Sequence, residues 1–339
     1  TEIMINSPAD VWVEKRNAGL VKTNIHFQDE DHILKLIERI VSRVGRRIDE
    51  TSPMVDARLP DGSRVNAIIR PVAIDGPKVT IRKFRKDAMK PADLIKYGSI
   101  TEDMMRFLEA CVKINLNIIV SGGTNSGKST LLNVLSAFIS NAQRIITIED
   151  SAELQLQQEH VIRLESRPSN VEGKNRITIR DLLVNALRMT PNRIIVGECR
   201  AGEALDMLQA MNTGHEGSMT TVHANTPRDV LSRLEVLVLQ AGVDLPQRAI
   251  REQIASAVHL IVHTNHFEDG SRKVAAIAEV RRGANDGVDV ENIFEFVPTS
   301  VDAKGRLQGQ LRATGYYPRA LVDRLERAGV HLPPTIFQK

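Results

Sequence analysis

The stretch GGTNSGKST, residues 122–130, sets small residues, hydroxyls and one lysine at a spacing suited to holding phosphate. Gly122, Gly123, Thr124, Asn125, Ser126, Gly127, Lys128 and Ser129 satisfy the pattern G-x-x-x-x-G-K-[ST] in full. Small residues let the backbone curl so that successive N–H groups face phosphate oxygens. A following helix adds its unpaired N-terminal donors and the positive end of its dipole. Lys128 can then reach the β- and γ-phosphates, and the Ser129 hydroxyl can bind Mg²⁺. Thr130 falls beside the α-phosphate region. The context fits: the aliphatic run Ile118-Ile119-Val120 precedes the motif, and Leu131, Leu132, Leu135 and Phe138 follow at helical spacing. A chance Gly/Ser turn is the competing reading. With strand, motif and helix in register, a nucleoside triphosphate such as ATP is the expected ligand.

Hydrolysis needs carboxylates as well. Arg193-Ile194-Ile195-Val196-Gly197-Glu198 reads as a buried strand ending in an acid. At the C-terminal edge of a sheet, Glu198 can hold Mg²⁺ through water or orient the attacking water. Its bland alternative is a helix-start residue. Ile148-Glu149-Asp150 with Glu153 forms a second acidic cluster at a strand end, costly unless a cation offsets it. Glu149 is expected at the site as general base, water-positioning group or further metal contact, with lesser roles for Asp150 and Glu153. The alternative is N-capping by Asp150 or Ser151.

A transferring phosphoryl group also calls for a further cation. The candidates are Arg64, Arg70, Arg82 and Arg85 early in the chain, and Arg188, Arg193 and Arg200 around the Glu198 strand. Any one of them taken alone reads as a solvated surface residue. The segment GHEGSMTTVHANTP, residues 214–227, adds His215 and His223 among Gly, Thr and Asn. Zinc would need further ligands, and Glu216 and Cys199 lie at no compact spacing. Two readings remain: buried structural histidines, or neutral imidazoles on a strand beside the phosphate strand that donate toward the γ-phosphate side, the acidic cluster or the next subunit's edge and report on the γ-phosphate, with Thr220, Thr221 and Asn225 adding polar contacts.

Positioning these groups requires an α/β scaffold. Strand candidates at Ile145–Ile148, Val161–Leu164, Ile194–Val196 and Val258–Val262 alternate with helical patterns at 179–187, 201–211 and 230–239. This alternation predicts a mostly parallel central sheet. Thr226-Pro227 reads as N-cap and N1 of the helix after the histidine segment. Ser99 and Glu102 have the spacing of a capping box opening a helix with Met105, Leu108 and Val112. Upstream, Ile33, Leu36, Ile37, Ile40, Val41 and Val44 mark one amphipathic helix, and Val11–Val13, Val65–Ile69 and Val79–Ile81 read as short strands. The expected division is a small α+β domain over 1–86, a linker over 87–99 in which the basic run between Arg82 and Lys90 is followed by Pro91, and a P-loop domain over 100–339 with a C-terminal helical extension.

Bulk properties narrow the class. A chain of 339 residues exceeds one ordinary domain, and an apolar content of 42% supports a large core. The net charge of +3, without a dense Lys/Arg field, gives no ground for direct nucleic-acid binding. Cys111 and Cys199 read as two free thiols in a reducing compartment. No apolar run reaches the ~20 residues that span a bilayer. Because the sequence opens Thr1-Glu2-Ile3 without Met, an upstream region is expected.

Four blocks in order now carry a resemblance. GGTNSGKST, RIITIEDSAEL, and NRIIVGECRAGEALDMLQAMNTGHEGSMTTVHANTP resemble the Walker A, acidic box, Walker B and His box of the secretion ATPases of type II and type IV secretion, type IV pili and archaeal surface filaments. Within that superfamily the sequence looks most like the CpaF/TadA group of tight-adherence (Flp) pilus assembly, whose end the tail from Gly315-Tyr316-Tyr317-Pro318 to Pro334 also resembles. The likeness covers roughly residues 30–339. It implies a RecA-like P-loop domain, a cytoplasmic homo-hexamer at the inner face of the inner membrane, and an inner-membrane platform protein as partner. Membrane association would be peripheral, through partners. The resemblance further implies nucleotide between the two domains. Lys128 and Ser129 would hold the phosphates and Mg²⁺, Glu198 would be the Walker B acid and Glu149 the acidic-box glutamate. Arg64 and Arg82 would be small-domain phosphate contacts; Arg200 is a further candidate nucleotide contact from its place beside Glu198, not from the resemblance. Gly197-Glu198 matches the superfamily's Gly-Glu ending. Asn125 stands where relatives commonly have Gly, a change that left-handed geometry tolerates in Asn. Two rival readings share these motifs: a type IV secretion ATPase exporting DNA or effectors, and a nucleotide-gated scaffold with little turnover.

Overall fold

The computed structural model describes residues 2–15, 19–84, 88–169, 174–283, 287–302 and 305–339. Two compact units form: Thr1–Asp87 with Pro168–Arg176, and Ala88–Arg167 with Ile177–Lys339.

Among its described residues the first unit is a six-stranded antiparallel sheet covered by one helix. Its strands are β1 (Glu2–Ser7), β2 (Asp10–Lys15), β3 (Gly19–Lys22), β4 (Met54–Arg58), β5 (Arg64–Ile68) and β6 (Lys78–Arg82), in the order β3-β2-β1-β6-β5-β4. The helix α1 (Glu30–Arg43) opens where the Asp29 side chain accepts the N–H of His32. Glu30 and Asp31 in its first turn complement the helix dipole. Ile33, Ile37, Ile40 and Val41 form the buried face and pack with Ile5, Val11, Val55, Val65, Ala67 and Val79 of the strands. Val44, expected on that face, is instead the C-cap.

The second unit opens with α2 (Pro91–Lys96), inside the stretch read as a linker, and α3 (Glu102–Lys113). The expected Ser99–Glu102 capping box does not form. Thr101 is the N-cap, its hydroxyl accepting the N–H of Met104. The reason is local: Thr101 already has the extended backbone that an N-cap needs, with φ −83° and ψ 164°.

Next come β7 (Ile118–Gly122), α4 (Lys128–Ser136), β8 (Ile145–Glu149), β9 (Val161–Glu165), α5 (Ile179–Ala186), β10 (Arg193–Val196) and α6 (Glu203–Asn212). They are followed by β11 (Met219–His223), α7 (Pro227–Leu239), α8 (Gln247–Ala257), β12 (Leu260–His266), β13 (Arg272–Arg282), β14 (Val288–Val301), β15 (Leu307–Ala313) and α9 (Arg319–Arg327). A single nine-stranded sheet runs β15-β14-β13-β12-β7-β11-β10-β8-β9. From β12 to β9 every pairing is parallel, and β13, β14 and β15 continue antiparallel.

Alternate residues of the central strands face opposite layers. Ile118, Val120, Ile195, Leu260 and Val262 pack with α3 and α4, whereas Ile119, Ile146, Ile148, Ile194, Val196 and Ile261 pack with α5, α6, α7 and α8. Strands buried on both faces read as continuous apolar runs, which is why these were visible in the sequence. Both cysteines are buried free thiols, and burial pushes Cys199 up to about 12.

Candidate functional site

Four adjacent parallel strands, β7, β11, β10 and β8, end at one edge of the sheet, and the chemistry collects there. Such C-terminal edges are where open α/β sheets bind ligands. β7 runs out at Gly122 (φ 152°), the loop turns left-handed at Asn125 (φ 59°), and Gly127 (φ 97°) caps α4 directly before Lys128. Asn125 thus adopts the left-handed geometry that its type tolerates. At Gly122 a Cβ would come within 2.3 Å of the Thr264 carbonyl and 2.5 Å of Ser126 Oγ, so glycine alone fits.

The Lys128 ammonium donates to the carbonyls of Gly122 at 3.0 Å and Gly123 at 2.8 Å. Burial lowers its pKa, while the charge of Glu198 raises it and that of Arg200 lowers it. Lysine, acid and arginine therefore act on one another across the site. Glu198 accepts from Arg200 at 2.7 Å, and the same guanidinium reaches Asp150 at 3.3 Å. That pairing with Glu198 is the main reason the Arg200 pKa rises.

Glu149 closes β8 and is buried, 4% exposed. One oxygen accepts the N–H groups of Glu153 at 2.7 Å and Leu154 at 3.0 Å. Its other oxygen, Oε1, is buried without a hydrogen-bond partner among the described residues. Burial pushes the Glu149 pKa up, and the two N–H bonds only partly counter it. A Cβ on Gly197 would stand 3.0 Å from Glu149 Cγ, so a bare glycine before Glu198 lets the two acidic strand ends lie side by side. N-capping by Asp150 or Ser151 is excluded, since residues 151–160 contain no helix. Asp150 instead accepts from Ser166 Oγ at 3.0 Å.

β11 pairs with β7 in register, setting His223 opposite Gly122. His223 is exposed at the site edge. His215 precedes the start of β11, at the opposite edge of the sheet, so it does not join the phosphate loop of its own chain. There its Nδ1 is buried without a partner among the described residues. Arg193 and Arg188 lie at that far edge too. Arg193 is 1% exposed and donates to the carbonyls of Val112 and Gly217, to Asn115 Oδ1 and to Gln143 Oε1. Burial lowers its pKa to about 10, and it serves as an internal tie rather than a phosphate contact. In the first unit, Arg82 pairs with Glu2 at 3.1 Å and sits in register with Arg64, while Arg70 pairs with Glu30 at 3.5 Å. Arg85 lies outside the described residues.

Several contributors escaped sequence reasoning. Glu203 is buried and accepts the N–H groups of Arg200 and Ala201, which fixes the turn that carries Glu198 and Arg200. Its place just inside a helix start was the available signal. Thr264 and Arg272 reach the phosphate loop, and His263 reaches Ser121 of the strand that leads into it, from β12 and β13, strands far away in sequence.

Fold and site together define a RecA-like P-loop nucleotide hydrolase. The type II/IV secretion system protein family matches residues 1–279, and the chain belongs to that family. It is 38% identical over 288 residues to a putative conjugal transfer protein of Mycobacterium tuberculosis, covering 83% of this chain and 81% of that protein. The type IV secretion system protein VirB11 of Brucella suis is 32% identical over 299 residues, 80% of this chain and 82% of its own. Among solved structures, the ATPase DotB of Yersinia pseudotuberculosis superposes with a TM-score of 0.59 at 19% identity, covering 84% of this chain and 76% of that one. The chain is accordingly an ATPase of the type II/IV secretion superfamily. Among the described residues no helix is long and apolar enough to cross a membrane.

Proposed function

We propose that the chain is the ATP-hydrolysing motor of tight-adherence pilus assembly, working as a homo-hexamer against an inner-membrane platform protein from the cytoplasmic side. The observation that carries the chemistry is the convergence of Lys128, Glu198 and Glu149 at one sheet edge. The pilus assignment rests on the sequence resemblance of the motif blocks and of the tail. A second reading, a type IV secretion ATPase, is favoured by the conjugal transfer and VirB11 relatives and would use identical chemistry.

In this proposal Lys128 leaves the Gly122 and Gly123 carbonyls for the β- and γ-phosphates, which offer it full negative charge. The loop N–H groups and the start of α4 take the remaining phosphate oxygens. The donor set suits Mg²⁺. Among the described residues no three His, Cys, Asp or Glu side chains gather into a metal cluster. An ion that keeps most of its waters needs only the Ser129 hydroxyl, the phosphates and Glu198 through water. When bound, it would neutralise charge building on the phosphates. Glu198, released from Arg200, orients the attacking water. Glu149, with Oε1 unpartnered, is placed to accept its proton. Arg200 then neutralises charge beside the nucleotide, and Arg64 and Arg82 are assigned to phosphate contact on the resemblance alone. His223, next to Gly122 in register, reports occupancy to α7.

The mass of the intact particle with a non-hydrolysable ATP analogue and Mg²⁺ tests the motor reading. Six copies are expected, and monomers under every condition would contradict it. Pilus and export readings separate in cells, where loss of the chain should abolish surface pili and leave DNA transfer intact.

A further inference from the structure

β12 lies against the phosphate strand on the side away from the acids, and two consecutive residues near its end reach Ser121 of that strand and Ser126 of the loop. Thr264 Oγ1 stands 2.9 Å from Ser126 Oγ and donates to the Ser121 carbonyl at 3.1 Å. His263 Nδ1 lies 2.9 Å from Ser121 Oγ. From the next strand, Arg272 Nε donates to the carbonyl of Asn125, the left-handed residue of the loop, at 2.6 Å. All of these groups belong to the second unit, and Ser121, Ser126, His263 and Thr264 are buried.

Ser126 Oγ also lies 2.9 Å from the Gly123 carbonyl, the same oxygen that receives Lys128. Each hydroxyl has one proton to give. Three oxygen–oxygen contacts, Thr264 to Ser121, Ser126 to Thr264 and Ser126 to Gly123, therefore share two protons. Three arrangements use both. In the first, Thr264 donates to Ser121 and Ser126 donates to Thr264, leaving the Gly123 carbonyl to Lys128. In the second, Thr264 keeps the Ser121 carbonyl and Ser126 donates to Gly123. In the third, Thr264 turns to donate to Ser126, and Ser126 donates to Gly123. The last two satisfy the Gly123 carbonyl once the lysine has gone to a phosphate, and of these only the third keeps Ser126 bonded to Thr264.

We propose that Thr264 is a positioning residue of the phosphate loop, holding Ser126 in both lysine positions so that the loop stays curled whether Lys128 sits on its own backbone or on nucleotide. Removing the hydroxyl takes away the β12 oxygen against which Ser126 is held and the donor to the Ser121 carbonyl, leaving Ser126 tied only to the loop's own Gly123 carbonyl. A buried polar group losing its partner weakens the state that needs it.

The test is the affinity of the full chain for a fluorescent ADP, with the melting temperature of the nucleotide-free protein measured alongside. Thr264→Val keeps the branched shape without the hydroxyl and should weaken ADP about tenfold. Thr264→Ser, which keeps it, should bind within about twofold of the parent. If Thr264→Val lowers the nucleotide-free melting temperature, Ser126→Ala breaks the same link from the loop side. The Thr264→Val, Ser126→Ala double variant should then lose no more than the larger single loss. Unchanged ADP affinity in Thr264→Val, equal loss in Thr264→Ser, or additive losses in the double variant would each overturn the proposal. A Lys128→Ala protein that still bound ADP would be a different failure, removing the phosphate loop itself from the account.

Discussion

At Glu149 one carboxylate oxygen anchors the turn at Glu153 and Leu154, while Oε1 is buried without a partner among the described residues. Anchoring occupies one oxygen only, and Oε1 has no hydrogen bond to give up before it takes a proton. Burial raises the pKa from its ordinary 4.5, so more of the group is protonated at a given pH than in an exposed glutamate. A general base works only when deprotonated. The acid limb of the hydrolysis profile should therefore lie above the ordinary glutamate range and should vanish in Glu149→Gln. That variant should also lose about a hundredfold or more in turnover while ADP affinity is kept. Native turnover and an unchanged profile would leave Glu149 as the anchor of its turn alone. His223→Ala tests the sensor role: turnover should fall more than nucleotide affinity, and unchanged turnover would reduce His223 to an edge residue.

Elements hold these residues in place, and α9 shows how the far edge of the sheet is secured. Arg324 of α9 donates to Glu216 at 2.9 Å and lies 2.7 Å from His259 Nε2, and the Asn117 N–H donates to His259 Nδ1 at 2.9 Å. A neutral ring has one acceptor nitrogen, so a second ring proton would deprive the Asn117 N–H of its acceptor. Burial, and after it the charge of Arg324, lowers the His259 pKa from 6.5 to about 4. The unfolded chain then binds the extra proton first as pH falls. Stability is full above about 6.5 and declines towards about 4, by roughly 3 kcal/mol at most. Denaturant unfolding across that range should show the decline, and His259→Gln should flatten it. Equal slopes in both proteins would contradict the assignment.

How legible these elements were depended on where their partners lie. The phosphate loop was readable because strand, turn and helix are contiguous and each residue type has a local reason. The central parallel strands were readable because burial on both faces leaves unbroken apolar runs. β13 to β15 were not, since Arg272–Arg282 and Val288–Val301 mix charged and apolar residues and gain their pairing from one another. The edge at which His215 lies was hidden for a related reason. Sequence shows a histidine near a strand but not which end of the sheet it occupies. Thr264 and Arg272 were invisible because they meet the loop only through the pairing of β12 with β7 and of β13 with β12.

At the scale of the whole molecule, two units with separate cores occupy one chain, and the catalytic groups that converge all belong to the second. A closed ring would require each copy to offer two different patches, one for each neighbour. What the ring would do depends on turnover, so the central claim is that Lys128 holds ATP and Glu198 converts it. Its most direct test is steady-state ATP hydrolysis beside ATP affinity for the native chain, Lys128→Ala and Glu198→Gln, all with Mg²⁺ present. Lys128→Ala should largely lose binding, whereas Glu198→Gln should bind ATP as the native chain does and lose turnover. A Glu198→Gln protein with unchanged kcat would contradict the account.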